Sequence, residues 1–177
     1  MILDLPPAER TPDQLSLISE QRTVNFKGID VRYIFGTMDN LQMHASQSFD
    51  LVWSGQSVEH ISIDQARRML SEVNRVLQPG GSFCLDTPNR NLSKMLCRLG
   101  YIHPEHKTEY TPESLRNLLL TSGFTIKSAL AVSPMPMSLN WKRFCKLELH
   151  QASAIGDQAV EGFSFFFHCK KPMESHQ

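Results

Sequence analysis

The sequence predicts an α/β layered protein built around a mostly parallel sheet. Two observations carry that prediction. Short runs of β-branched and aromatic residues alternate along the chain with segments of helical periodicity. Glycine- and proline-containing turns such as Pro79-Gly80-Gly81 and Gly123 close the intervening helices. The length of 177 residues, 41% hydrophobic and 20% charged, suits one domain spanning 1–177 and argues against disorder.

Ile2 to Leu5 is an apolar run containing Asp4 and stopped by Pro6 and Pro7, a short strand. Glu9 to Lys27 is polar and weakly patterned, which predicts a loop with at most one helical turn. VRYIF (31–35) and FDLVW (49–53) read as strands, ended by Gly36 and by Ser54-Gly55. Ser62 with Gln65 three residues on is a capping-box pattern. Ala66, Met69, Leu70, Val73, Val76 and Leu77 then fall on one helical face, with Arg67, Arg68, Glu72 and Arg75 outside. Ser82 to Asp86 is the next strand, expected parallel to 49–53 through a right-handed crossover. Thr111 caps a second helix with Pro112 at its first position. Phe124 to Val132 is a strand, and Val160 to Cys169 a last one, expected near the sheet edge, antiparallel and beside Ser82–Asp86.

Eighteen basic residues balance eighteen acidic ones, so no basic excess points to nucleic acid. Four scattered cysteines without a CxxC pair suit thiols in a reducing compartment. No apolar stretch approaches the roughly 18 residues of a membrane span. The chain therefore reads as soluble and cytoplasmic, with no membrane partner.

FDLVWSGQSVEHI, then a helix, then NRVLQPGGSFCLDTPNR, resembles class I S-adenosylmethionine-dependent methyltransferases. HPEHKTEYTPESLRNLLLTSGFTI is similar to a bacterial subgroup of that family, in which "EYT" opens the helix before a "GF" turn. The resemblance implies a Rossmann-like, mostly parallel sheet with an antiparallel C-terminal strand, and S-adenosylmethionine as cofactor. It implies that Asp4, ending a strand, accepts from the ribose hydroxyls; the other reading is a solvated turn aspartate. Thr37, Met38 and Asp39 would border adenine, with Thr37 standing where the family usually has an aspartate. Ser54, Gly55 and Gln56 would border the methionine part. Open α/β sheets bind ligands at these strand ends.

Glu59, His60 and His103 are candidates on the acceptor side, where an imidazole would deprotonate a hydroxyl. His106 reads as a solvated loop histidine, and Asn89 and Arg90 as substrate-facing. Trp141 and Phe144 look like packing residues. Some family O-methyltransferases carry ExxEH here and bind a divalent metal. Gln56 replaces the first glutamate, so no metal is expected.

The family's G-x-G-x-G loop has no counterpart, since the nine glycines contain no G-x-G. This also removes a dinucleotide oxidoreductase from consideration. The chain reads as beginning at the family's second strand. The absent first strand would leave strand edges unpaired in mid-sheet and invite association with a second copy. Two functions stay open: methyl transfer to a small-molecule acceptor, impaired in this chain, or a non-catalytic methyltransferase-like scaffold.

Overall fold

The computed structural model describes residues 1–9, 20–151 and 154–173. The elements are β1 (Ile2–Asp4), β2 (Arg22–Phe26), β3 (Ile29–Phe35), β4 (Phe49–Gly55), α1 (Ile63–Val76), β5 (Leu77–Pro88), α2 (Arg90–Leu96), α3 (Pro112–Thr121), β6 (Thr125–Pro134), α4 (Pro136–Trp141), α5 (Lys146–Gln151), β7 (Ile155–Gly156) and β8 (Gly162–Lys170). They form a three-stranded sheet, β1-β3-β2, and a five-stranded sheet, β4-β5-β8-β6-β7.

β4 and β5 pair in parallel, Leu51 opposite Ser82 through Gly55 opposite Asp86, as the strand–helix–strand pattern predicts. β8 pairs antiparallel with both β5 and β6, so β4, β5 and β6 all run the same way around it. The last strand therefore lies beside Ser82–Asp86 as expected, but in mid-sheet rather than near the edge. Buried Phe165, Phe167 and Cys169 along β8 favour that place, because a central strand has both backbone edges hydrogen-bonded.

The part of the predicted 9–27 loop that lies within the described residues contains a strand, β2, hydrogen-bonded to β3 through a two-residue turn. Lys27 and Gly28 both have positive φ (51° and 84°), the conformation that a tight hairpin turn needs. Asn25 braces the turn by accepting from Gly28 N at 3.1 Å. Every β2 residue is exposed, so no hydrophobic alternation marks it in the sequence. Residues 10–19 of the same segment lie outside the described residues.

α1 carries both halves of the capping box: the Ser62 hydroxyl accepts from Gln65 N, and the Gln65 side chain accepts from Ser62 N. Its buried stripe (Ala66, Met69, Leu70, Val73, Val76) joins Phe83, Leu85, Phe165, Phe167 and Cys169 of β5 and β8 in one core, to which α3 adds Leu115 and Leu119. At the turn into β5, a side chain on Gly81 would meet Gln78 O at 2.8 Å, so only glycine fits. On the opposite sheet face Leu51 and Trp53 stay exposed, with the Trp53 ring 5.6 Å from Phe166.

β1 and β4 are the end strands of their two sheets. Between them lies a cavity of about 530 Å³, lined by Met1–Leu3 on one side and Leu51–Gly55 on the other. The fold predicts a graded response in urea unfolding. Phe167→Ala should cost about 3–5 kcal/mol and Ser62→Ala about 1 kcal/mol, with the slope unchanged. Equal small losses would contradict the assigned core.

Candidate functional site

The turns that follow β1, β3 and β4 hold the predicted cofactor residues, and the fold divides them. Ser54, Gly55 and Met38 line the cavity between the sheets, together with Leu41 and His44 from the β3–β4 connection. The Ser54 hydroxyl is buried without a hydrogen-bond partner among the described residues, as is His44 Nε2. Burial, then the charges of Arg32 and Arg75, hold the His44 pKa below the ordinary value, so the ring favours its neutral form.

Thr37 and Asp39 point elsewhere. They border a shallow depression beside α1, where Asp39 Oδ2 accepts from Arg68 Nη2 at 2.8 Å and Nε at 3.2 Å. Asp4, at the last position of β1, accepts from Leu5 N at 2.8 Å. Gln56 turns away from the cavity toward β5: its Nε2 donates to Asp86 Oδ2 at 2.6 Å and its N–H to Asp86 O at 3.1 Å. It does so at φ 44°, a left-handed conformation uncommon outside glycine.

Ser57 also lines the cavity, and the helical turn Val58–His60 follows it directly. That turn carries Glu59 and His60 into a second cluster. Glu59 is buried, and its Oε2 accepts from Thr87 Oγ1 at 2.9 Å. Burial raises its pKa against the hydrogen bonds that oppose it, which favours the protonated acid more than in water. The His60 ring centroid lies 4.9 Å from that of His106 and 6.1 Å from that of His103. His60 Nδ1 is buried without a hydrogen-bond partner among the described residues, though Glu105 Oε2 stands 3.9 Å away. Burial first, then the neighbouring His106, lowers the His60 pKa despite Glu105.

His106 is not the solvated loop residue that the sequence suggested. Its side chain is 6% exposed, and its Nδ1 lies 2.8 Å from Glu109 Oε1. Glu109 also accepts from Ile102 N at 2.9 Å, from Arg90 Nη1 at 3.2 Å and from the Ser93 hydroxyl. Burial pushes this carboxyl upward, but the Ser93, His106, Ile102 and Arg90 bonds outweigh it and hold the pKa below the ordinary range. An ionised carboxylate only accepts, so Nδ1 of His106 carries a proton, and in the neutral ring Nε2 keeps its lone pair. Glu59, His60 and His106 each offer a ligand atom, all within 4.8 Å of one another.

Two other sequence expectations change. Asn89 is structural rather than substrate-facing: it caps α2 and donates to Val160 O and Gly162 O, both at 2.9 Å. Arg90 bonds Glu109 and also lines a cavity beside α2. Trp141 is 65% exposed instead of packed, whereas Phe144 does pack on Phe163. The pairing that sequence reasoning missed, His106 with Glu109, had one signal: an i, i+3 spacing within HPEHKTE.

Residues 9–85 match the family profile of the methyltransferase domain. A protein of Mycolicibacterium smegmatis named "Probable S-adenosylmethionine-dependent methyltransferase" is 36% identical over 104 residues, 59% of this chain and 38% of that one. The ubiquinone biosynthesis O-methyltransferase of Caulobacter vibrioides is 25% identical over 127 residues, 66% and 50% of the two chains. Across these comparisons the chain resembles class I S-adenosylmethionine-dependent methyltransferases. It spans half or less of the length of these two curated relatives. A solved methyltransferase of Thermotoga maritima shares the fold at 18% identity and a TM-score of 0.57, covering 78% of this chain and 63% of that one. The [4+2]-cyclase SpnF shares it too, at 20% identity and a TM-score of 0.52, covering 80% of this chain and 58% of that one.

Glu109→Gln should lower stability at neutral pH by about 3 kcal/mol, since four donors lose their charged acceptor. The wild-type contribution is present above the unfolded carboxyl pKa and is lost as pH falls through the lower folded value. Unfolding from pH 7 down to pH 3 checks this: the gap between wild type and variant should narrow with acid, and a constant gap contradicts it.

Proposed function

We propose that this chain forms the acceptor side and part of the cofactor cleft for methyl transfer from S-adenosylmethionine to a small-molecule nucleophile. The observation that supports this reading best is the cluster of Glu59, His60, His103 and His106 immediately after the Ser54–Ser57 strand end, with His106 held by Glu109. The sulfonium methyl is already electrophilic. The protein must align the nucleophile with the C–S bond, exclude water and, for a hydroxyl, take up its proton. His60 and His106 offer imidazole nitrogens for that proton, and buried Glu59 borders them. His103, the outer ring of the three, faces the incoming acceptor. On the cofactor side, Met38 and Ser54–Gly55 border the cavity, and Asp4 remains the candidate for ribose. Asp39 and Gln56 would serve only after giving up the partners described above, and Thr37 borders the depression beside α1 instead of the cavity.

With no G-x-G segment, the backbone donors that would cradle the cofactor's amino-acid end are not supplied by this sequence. Several hydrogen bonds at roughly 1 kcal/mol each amount to tens- to thousands-fold in affinity. Calorimetric titration of the 177-residue chain with S-adenosylmethionine is expected to show weak binding and no methyl transfer. A version carrying a strand and glycine-rich loop at its amino end should bind far more tightly. Equal failure of both versions would favour the second function, a methyltransferase-like scaffold. The exposed Leu51–Trp53 edge supports self-association in either case, read by sedimentation.

His60 should titrate below its ordinary value near 6.5 by nitrogen-detected NMR. Acid should destabilise the fold through it, because the unfolded state takes up the proton first. Titration at or above 6.5 would contradict the burial argument.

A second reading rests on one observation, the 4.8 Å convergence of Glu59, His60 and His106. Against it, position 56 lacks the carboxylate of the ExxEH pattern, and Glu59 Oε2 already accepts from Thr87 Oγ1. We expect no divalent binding tighter than about millimolar in a manganese titration followed by electron paramagnetic resonance. Micromolar binding abolished by His106→Ala would establish the metal reading instead.

A further inference from the structure

A second cavity, of about 780 Å³, opens between α2 and the turn joining α4 to α5. Arg90, Lys94, Arg98, Lys142 and Arg143 line it, and no carboxylate does. The chain as a whole is neutral, with eighteen charges of each sign, so this is a local concentration rather than a general excess. Arg90 alone of the five has a carboxylate partner among the described residues, Glu109. Glu148 of α5, the acid that follows this turn in the chain, is held elsewhere. Its two oxygens accept from Met137 N, Ser138 N and the Ser138 hydroxyl at 2.7–2.9 Å, which buries it against α4.

The cationic wall is held in place. Lys142 sits in a left-handed turn (φ 50°), its N–H bonded to Leu139 O, and Arg143 N donates to Ser138 O at 3.1 Å. Met95, Leu139 and Phe144 supply apolar surface between the charges. Cations gathered around a concave, partly apolar pocket are attracted to an anion attached to an organic body, and guanidinium forks match phosphate oxygens.

The cavity also adjoins the acceptor cluster. Arg90 lines it and bonds Glu109, whose other oxygen takes His106 Nδ1. We propose that this cavity binds the phosphate of a soluble, phosphorylated methyl acceptor, holding the molecule so that its nucleophile reaches His60 and His106. The identity of the molecule bearing the phosphate rests on the methyl-transfer reading above; the anion site itself does not.

Inorganic pyrophosphate titrated into the full chain and followed by phosphorus NMR tests the anion site without cofactor or turnover. Binding at millimolar or tighter affinity is expected at low salt, weakening as salt screens the charges. Lys94→Glu with Arg143→Glu should weaken it at least about tenfold, with the melting midpoint retained. Arg116→Glu with Lys127→Glu, the same charge change on exposed positions of α3 and β6, should leave it nearly unchanged. Equal loss in both double variants would reduce the effect to general electrostatics and overturn the proposal. Binding to phosphatidylglycerol vesicles without any pyrophosphate response would overturn it as well, in favour of a lipid surface. If pyrophosphate binds as expected while S-adenosylmethionine fails even with the added loop, the anion site stands and the methyl-transfer reading falls.

Discussion

The buried carboxylate of Glu109 is the constraint on which the proposed acceptor side depends. It accepts from α2 through Arg90 and Ser93, from the Ile102 backbone, and from His106. An ionised group removed from water must find donors for its lone pairs, and four from three segments is close to what one carboxylate accommodates. Satisfying it fixes the 101–108 connection against α2. The same bonds fix which nitrogen of His106 is left to face His60. Stability and chemistry thus meet in one residue.

A second constraint comes from β8. By running antiparallel between β5 and β6, it seals the core side of the sheet with Phe165, Phe167 and Cys169, all buried. Lys170 at its end and Lys171 just after it reach back to Gly80 O and Leu77 O at 2.9 Å, tying this end of β8 to the start of β5. β5 is thereby held from both sides, and its carboxyl end presents Asp86, Thr87 and Asn89 at fixed positions. Asp86 orients Gln56, Thr87 orients Glu59, and Asn89 starts α2. Each turn around the site is braced from this one strand.

The two cavities differ in kind, and that suits the two halves of the proposed reaction. The one between the sheets is mostly apolar, with isolated polar atoms from Ser54 and His44. The one beside α2 is cationic. Buried Glu59 and Glu109 and the partly buried imidazoles lie along the route from one to the other, linked through Ser57, the 58–60 turn, His106, Glu109 and Arg90. Among the described residues no helix is long and apolar enough to cross a membrane.

Local signals made much of the fold legible. The Ser62 capping box, the Thr111 cap, the α1 stripe, the PGG turn and the 49–53/82–86 strand pair all rest on contacts between near neighbours or on periodicity, which sequence records directly. The β2–β3 hairpin was not legible, because exposed strands carry no alternation and its Lys-Gly turn is a weak signal. At the site, the sequence supplied residue types: acids and histidines after β4 and before α3. Only the tertiary structure decided which of them meet. Within one turn, Met38 faces the cavity while Thr37 and Asp39 face α1, because successive side chains leave the backbone in different directions. His106 rather than His103 acquires the carboxylate, because α2 and the 102–109 segment pack around a single buried charge. Such pairings depend on satisfying polar groups across distant segments, and no local pattern encodes them.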